Sequence, residues 1–330
     1  MDKSLRTSIR QQLIEALSGA GGEFLSGQTL AEIIGCSRTA IWKHIEELRK
    51  DGFVLEAVRN KGYRIVSTPE DITENDILFG LETDKFGRNI HYYESLGSTQ
   101  KAAHQLAYDG APEGTLVITE EQTSGRGRLG REWYSLSGKG IWMSLIVRPD
   151  LPPQQAPQFT LVTAVAIARA IEEITGITPE IKWPNDVLIN GKKVVGILTE
   201  LQAESDKISS LIIGIGMNAN HEPDDFPPAV EQTATSLFIE KGEKIPRARL
   251  IQAFLKNFER YYSIYVTEGF RPIRILWESY AVSIGKRVKA TTVTGVIAGR
   301  AIGITDEGVL RIEDDEGVIH NIYSADIQQT

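Results

Sequence analysis

Apolar residues recur at helical spacing from the start of the chain. Ile9, Leu13, Ile14 and Leu17 fall on one helix face, and Ser18-Gly19-Ala20-Gly21-Gly22 ends that helix. Ser26 is placed to cap a second helix holding Leu30, Ile33 and Ile34, broken at Gly35. Ser37 caps a third, with Ile41, Ile45 and Leu48 on one face, ending near Gly52. The period then shortens. Val54, Leu55, Val58, Tyr63 and Ile65, with Gly62 near the turn, read as a two-stranded ribbon. Two helices joined through a glycine turn and followed by a ribbon make a winged helix-turn-helix pattern over residues 1–66.

A polar stretch containing Pro69 reads as a linker over 67–76. Strands and helices then mix over 77–282. Thr115–Thr119, Ile141–Val147, Ile197–Leu201 and Leu211–Ile215 are strand-like, and Phe159–Ile174 and Arg247–Val266 are helical. Residues 283–330 change texture again. Val288–Val293, Gly295–Ile304, Val309–Glu313 and Val318–Ile322 are short β segments between Gly, Asp and Glu turns, the mark of a small SH3-like β-barrel. The fold class expected is α+β and multidomain: a winged head, a central mixed α/β domain and a C-terminal β domain.

Length agrees with two or three domains. The single cysteine, Cys36, excludes a disulfide framework and argues against a cysteine zinc site. No apolar run approaches the ~20 residues of a membrane helix, and Met1–Arg10 lacks the apolar centre of a secretory signal. The cytoplasm is the expected compartment, with no membrane partner. Net charge is −8, yet residues 1–66 hold ten Lys/Arg against eight Asp/Glu while the remainder holds 26 against 36. The one segment that is not acidic is the head. With Ile41, Ile45 and Leu48 turned inward, Thr39, Lys43 and Lys50 face outward and Arg38 stands at the helix start. Arg59, Lys61 and Arg64 on the ribbon suit a neighbouring phosphate or minor groove. The alternative is a helical module with solvated charges, and the ribbon favours DNA. Cys36 and His44 read as packing or surface residues rather than sites.

The densest chemistry lies at Gly125-Arg126-Gly127-Arg128-Leu129-Gly130-Arg131-Glu132-Trp133. Its glycines match a dinucleotide fingerprint, but no helix follows, and no Gly-Lys-Ser/Thr follows to make a P-loop. Three arginines among three glycines describe instead a clamp for carboxylate or phosphate. A solvated basic loop and an RNA-binding tract are the alternatives. A second cluster runs Lys182-Trp183-Pro184-Asn185-Asp186-Val187, then Lys193 at the head of a strand. Lys193 there can neutralise a carboxylate–phosphate pair, and Asp186 can orient a hydroxyl or act as a base. Alone, the Asn-Asp pair reads as a turn and Lys193 as a surface charge. Gly214 and Gly216, before Asn218, let a flat ligand lie on the backbone, or mark a bulge.

With these motifs the chain resembles the biotin protein ligase family, and within it the biotin operon repressors. The resemblance runs over the whole chain and rests on Ser98-Thr99-Gln100, Gln122, the Gly125–Trp133 loop, Lys182–Asp186, Lys193-Val194-Val195-Gly196-Ile197-Leu198 and Gly214–Asn218. Many relatives carry Asn where Gln100 stands, which leaves the contact of residue 100 open.

The resemblance implies ATP, Mg²⁺ and biotin as reactants, biotinyl-5′-AMP as intermediate and corepressor, and transfer to a lysine of a carboxylase's biotin carboxyl carrier domain. No protein-ligated metal is implied. Catalytic roles fall to Lys193, Arg126, Arg128 and Asp186. Biotin contacts fall to Ser98, Thr99, Gln100, Gln122, Gly125 to Arg128, Lys193, Gly214 and Gly216. Adenylate contacts fall to Arg128, Arg131, Trp133, Asn185, Lys193 and Asn218, with Trp133 packing on the nucleotide or pinning the loop. A homodimer on the operator DNA of biotin genes is implied too. A lipoate ligase is the nearest rival, against which stand the Arg/Gly loop and the head. A repressor without catalysis and a ligase with a vestigial head are the others.

Overall fold

The computed structural model describes residues 3–50, 53–67, 72–204 and 207–330. The chain divides into two compact units, one of residues 1–82 with 246–252, the other of 83–245 with 253–330.

The first unit opens with α1 (Lys3–Gly19), α2 (Gly27–Ile34) and α3 (Arg38–Lys50), then the ribbon β1 (Val54–Val58) and β2 (Gly62–Ser67). Ser26 Oγ accepts from the Thr29 amide at 3.0 Å, and Ser37 Oγ from Ala40 at 3.2 Å, so both expected caps are made. Gly35 closes α2 in the left-handed region at φ 72°. Leu13, Ile14, Leu17, Leu30, Ile34, Ile41, Ile45 and Leu48 form the core. Ile33 is the exception, 60% exposed. Leu30 and Ile34, four apart, define the buried stripe, and position 33 lies off it. His44 is buried, its ring bonded to Glu47 at 3.0 Å, and Cys36 packs on the core, where burial pushes its thiol upward. The ribbon is anchored by paired amides between Leu25 and Tyr63 (3.0 and 2.8 Å). Gly62 permits this, since a Cβ there would sit 1.9 Å from the Leu25 carbonyl.

Of the stretch read as a linker, Ser67 ends β2 and residues 68–71 lie outside the described chain. The second half of that stretch is not extended. Thr73 and Asp76 make a reciprocal capping box and start α4 (Glu74–Leu78). The Gln252 amide donates to the Asp76 and Ile77 carbonyls at 2.9 and 3.0 Å, and Phe79 meets Phe53 edge-on at 6.3 Å. This segment therefore packs with the head.

The second unit is built on β3 (Ile90–Leu96), α5 (Thr99–Tyr108), β4 (Leu116–Gln122), β5 (Ile141–Val147), α6 (Ala156–Thr175), β6 (Glu180–Lys182), β7 (Asp186–Ile189), β8 (Lys192–Glu204) and β9 (Lys207–Met217). Then come α7 (Leu237–Lys241), α8 (Arg247–Glu268), whose first turn belongs to the other unit, and α9 (Arg271–Tyr280). The sheet order is β3-β4-β5-β9-β8-β7-β6, parallel only between β3 and β4. Side chains alternate across a strand. Ile212 faces α5 with Ala103, Ala107, Val117 and Ile146, so Gly214 and Gly216 open on that same side. Thr199, which pairs with Ile213, turns the other way and bonds Thr160 of α6 at 2.8 Å.

The C-terminal part is a five-stranded antiparallel sheet: β10 (Arg287–Thr292), β11 (Gly295–Ile304), β12 (Leu310–Glu313), β13 (Ile319–Ile322) and β14 (Asp326–Gln329), ordered β13-β12-β11-β10-β14. Four of these strands match expected segments. The fifth, β14, has one buried large apolar residue, Ile327, too little for a periodic signal. Trp183 Nε1 donates to the Gly308 carbonyl at 3.1 Å, tying this sheet to the segment before β7.

Candidate active site

One cavity of about 1200 Å³ opens on the α5 side of the large sheet. Its inner end is polar and tightly wired. Ser98 occupies the N-cap of α5, and Ser98, Thr99 and Gln100 are all buried. Gln122, at the end of β4, accepts from the Thr99 amide (2.9 Å) and hydroxyl (3.2 Å) and donates to Ser135 Oγ (3.0 Å). Ser144 of β5 donates to Thr99 and to Gln100 Oε1 at 2.9 and 3.1 Å. Gln100 Nε2 in turn donates to the Ile212 carbonyl at 3.1 Å. Residue 100 thus has both ends of its amide engaged in the sheet. It lies on Gly214, where a Cβ would fall 2.4 Å from its oxygen.

The Arg/Gly segment is a tight hairpin rather than an open loop. Gly127 N–H donates to Arg131 O at 2.8 Å and Trp133 N–H to Gly125 O at 3.0 Å, around a 3₁₀ turn over Arg128–Gly130. Gly125 is sterically required, because a Cβ there would meet the Trp133 carbonyl at 2.5 Å. The hairpin delivers Trp133 onto the paired glycines of β8 and β9, Gly196 and Gly216. Its Nε1 is buried with no hydrogen-bond partner among the described residues.

Arg128 is half-buried and donates to Asn185 Oδ1 and Ser324 Oγ, both at 2.9 Å. Burial pulls its guanidinium below the ordinary value, while Asp186 and Asp326 push back. Asn185, after the cis Trp183–Pro184 bond, donates to Ile197 O at 3.0 Å. Lys193 Nζ lies 2.7 Å from Asp186 Oδ1 and 5.1 Å above the Trp133 ring. Arg131 reaches Asp326 at 3.5 Å. Arg126 is exposed, paired across the hairpin with Glu132 through the backbone. Asn218 is buried and spends its amide on the Thr235 carbonyl at 3.0 Å, holding the segment beyond β9.

Ser98, Thr99, Gln100, Gln122, Arg126 to Arg128, Arg131, Trp133, Asn185, Asp186, Lys193, Gly214, Gly216 and Asn218 all line this cavity. Gly125, assigned a biotin contact by resemblance, is buried and does not line it. Ser144, Lys182, Ser324 and Asp326 line it too, without assigned roles in the sequence reading. Lys182 was visible in the Lys-Trp-Pro-Asn-Asp segment. Ser144, Ser324 and Asp326 carry no local pattern, since only the tertiary fold brings them in. Among the described residues, no group of three His, Cys, Asp or Glu is placed to hold a metal.

On the head, Arg38, Thr39 and Lys43 are exposed on α3, and Arg59 and Lys61 are exposed at the ribbon turn. Arg64 is engaged instead: it pairs with Glu56 at 2.6 Å and stacks 4.7 Å over Phe24. Trp42, which the periodicity did not single out, stands 56% exposed beside Lys43.

A cavity with a buried polar end and a rim of arginines and lysines paired with carboxylates, on a chain with a helix-turn-helix unit, fits the class of carboxylate-activating ligases with a DNA-binding head. The chain matches the Biotin/lipoate A/B protein ligase family over residues 92–218, an HTH domain over 9–64 and the Biotin protein ligase C terminal domain over 283–328. It is 56% identical to the bifunctional ligase/repressor BirA of Bacillus subtilis, over 98% of this chain and 99% of that one. It is 30% identical to the Escherichia coli protein of the same name, over 91% of each. A solved biotin protein ligase from Aquifex aeolicus, in complex with biotin and ATP, superposes with a TM-score of 0.65 at 31% identity, covering 74% of this chain and all of that one. The chain belongs to the biotin protein ligase family, among its bifunctional ligase/repressors.

Proposed function

We propose that this protein joins biotin to ATP as biotinyl-5′-AMP, passes biotin to a lysine of a biotin carboxyl carrier domain, and represses biotin genes as a homodimer when the adenylate accumulates. The ligase and repressor activities follow from the family. The arrangement that carries the site assignment is the cavity itself, with hydrogen-bonding groups at one end and cations at the other.

The Ser98–Gln100 and Gln122 end holds the ureido ring. Its groups are prewired, so little reorganisation accompanies binding. The biotin carboxylate and the α-phosphate are both anions, and their approach must be offset. Lys193 stands where its ammonium can serve both, and Arg128 and Arg131 extend the positive field toward the leaving phosphates. Mg²⁺ carried in on the nucleotide would supply Lewis-acid neutralisation of phosphate charge beside these cations. The carboxylate oxygen attacks the α-phosphorus and the bond to the leaving pyrophosphate breaks. The acceptor lysine's amine then attacks the acyl carbon of the mixed anhydride and releases AMP. Asp186, beside Lys193, is placed to fix that ammonium or to take a proton in the transfer step. Arg126, exposed on the hairpin at the cavity, covers the adenylate from water. No protein nucleophile takes part.

Arg38 and Thr39 of α3 read the major groove, Lys43 contacts a phosphate at its edge, and Arg59 and Lys61 hold a flanking phosphate. Arg64 has a structural share through Glu56 and Phe24. Adenylate, dimer and DNA are then linked equilibria.

Incubation with biotin, ATP and Mg²⁺, followed by mass spectrometry of the bound small molecules with lipoate in parallel, tests the first half. Biotinyl-adenylate is the expected product. No adenylate from either acid leaves a ligand-gated repressor as the better account. For the second half, a chain lacking residues 1–66 is expected to lose operator binding, and a band shift by that truncated chain would remove the head from DNA recognition.

A further inference from the structure

Two cations of the cavity rim converge on one carboxylate from the C-terminal sheet. Arg131 comes from the hairpin and Lys182 from the end of β6. Arg131 Nη2 lies 3.5 Å from Asp326 Oδ2, and Lys182 Nζ lies 3.7 Å from Asp326 Oδ1. Two residues before Asp326, Ser324 Oγ accepts from Arg128. All three charged groups are partly exposed, with side-chain accessibilities of 70% for Arg131, 28% for Lys182 and 45% for Asp326.

Pairs of that length and exposure are weak and exchangeable. A polyphosphate offers more charge and more acceptor oxygens than a single carboxylate, and arginine's fork suits it better. We infer that Asp326 is a resident counter-anion. It keeps Arg131 and Lys182 collected at the rim, and the polyphosphate of the nucleotide must displace it to bind. Asp326 thereby sets nucleotide affinity from a separate sheet, as a positioning residue rather than a catalytic one. This rests on the reading that Arg131 faces the phosphates. The Lys193–Asp186 pair is of another kind, since both partners sit on adjoining strands, β8 and β7, of one sheet.

The test is calorimetric titration of the full chain, saturated with biotin, with Mg²⁺ and α,β-methylene ATP. The methylene bridge blocks pyrophosphate release, so binding is read without turnover. Asp326→Asn is expected to tighten binding about threefold, the scale of exposed pairs. Asp326→Glu is expected to keep the wild-type value. In an Arg131→Ala/Lys182→Ala background, which should itself bind the analogue more weakly, Asp326→Asn is expected to change nothing. Unchanged or weaker binding by folded Asp326→Asn overturns the inference. So does tightening that persists in the double-alanine background, which would be plain repulsion between Asp326 and phosphate. If the double-alanine chain binds the analogue as well as wild type, the phosphate-facing reading of this rim fails, and the role of Asp326 falls with it.

Discussion

Gly216 has no room for a side chain because the indole of Trp133 lies on it, 2.4 Å from where a Cβ would stand. Gly196, its partner across the β8–β9 ladder, faces the same ring at 2.7 Å. The flat group lying on Gly216 and Gly196 is the chain's own indole, while Gly214 lies under the Gln100 amide. A Gly216→Ala methyl must push the ring aside. Because the obstacle is a movable side chain rather than backbone, the fold is expected to survive, with a loss of about 1–3 kcal/mol typical of overpacking. Urea melts measure the loss, and near-ultraviolet circular dichroism reports the displaced indole. An unchanged aromatic spectrum would place the ring elsewhere.

Lys193→Ala leaves the Asp186 carboxylate without its 2.7 Å ammonium partner, where the biotin carboxylate and α-phosphate are proposed to meet. Adenylate formation is expected to fall by about 10²–10³, the scale of losing one preorganised charge donor. Thermal melting should show the fold retained. Single-turnover release of pyrophosphate measures the rate, and near-normal release would take Lys193 out of the chemistry.

A clasp at the cavity edge gives a pH signature. Lys139 lies 2.9 Å from Asp225 and 3.1 Å from Glu222. Burial alone raises the Asp225 carboxyl, but the Glu222 amide and Lys139 outweigh it and hold it below the ordinary value. Its hydrogen bonds to the Asp225 and Glu222 carboxylates, against a smaller opposing effect of burial, raise Lys139. For Asp225 the stabilisation is present above the unfolded value, ~3.8, and is lost as pH falls through the lower folded value. For Lys139 it is full below ~10.5 and is lost as pH rises through the higher folded value. Lys139→Met is therefore expected to lower stability at neutral pH and to flatten both the acid and the alkaline limbs of the melting-temperature profile. A profile parallel to wild type would show that the clasp contributes nothing.

The helices of the head, the two long helices α6 and α8, β5 and the middles of β4, β8 and β9 were legible because each carries a run of apolar residues, whereas the seven-residue β3 and the helices α5 and α9 were missed. Ile141–Val147 is seven consecutive buried residues and has the same bounds in the sequence reading and the structure. The short edge elements were not legible. β6 and β7 have three and four residues, too few for a period, and α4 is set by a capping box inside a polar stretch. At the site, the Arg/Gly and Lys-Trp-Pro-Asn-Asp segments announced themselves through residue types that cluster in sequence. Gln100, placed among the biotin contacts by resemblance, bridges Ser144 and the β9 backbone, a tie across 44 and 112 residues that no local pattern announces. Asp326 and Ser324 lie almost 200 residues beyond the hairpin they touch, joined to it only by the fold.

Trp42 shares the outer face of α3 with Arg38, Thr39 and Lys43 and is 56% exposed. The helix buries Ile41, Ile45 and Leu48 on the opposite side, so the indole serves no core. A large apolar ring held in water among the residues proposed to face the groove suits contact with thymine methyls, which carries sequence preference, whereas Lys43 offers phosphate contact, which does not. Trp42→Ala is expected to weaken operator binding by about 1–3 kcal/mol while leaving non-specific DNA binding and adenylate formation near wild type. Lys43→Ala is expected to weaken both kinds of DNA alike and to reduce the salt slope by about one. Fluorescence anisotropy on operator and random duplexes at several salt concentrations separates the two. Equal losses on both duplexes for Trp42→Ala would make the ring a general contact and leave base reading to Arg38 and Thr39.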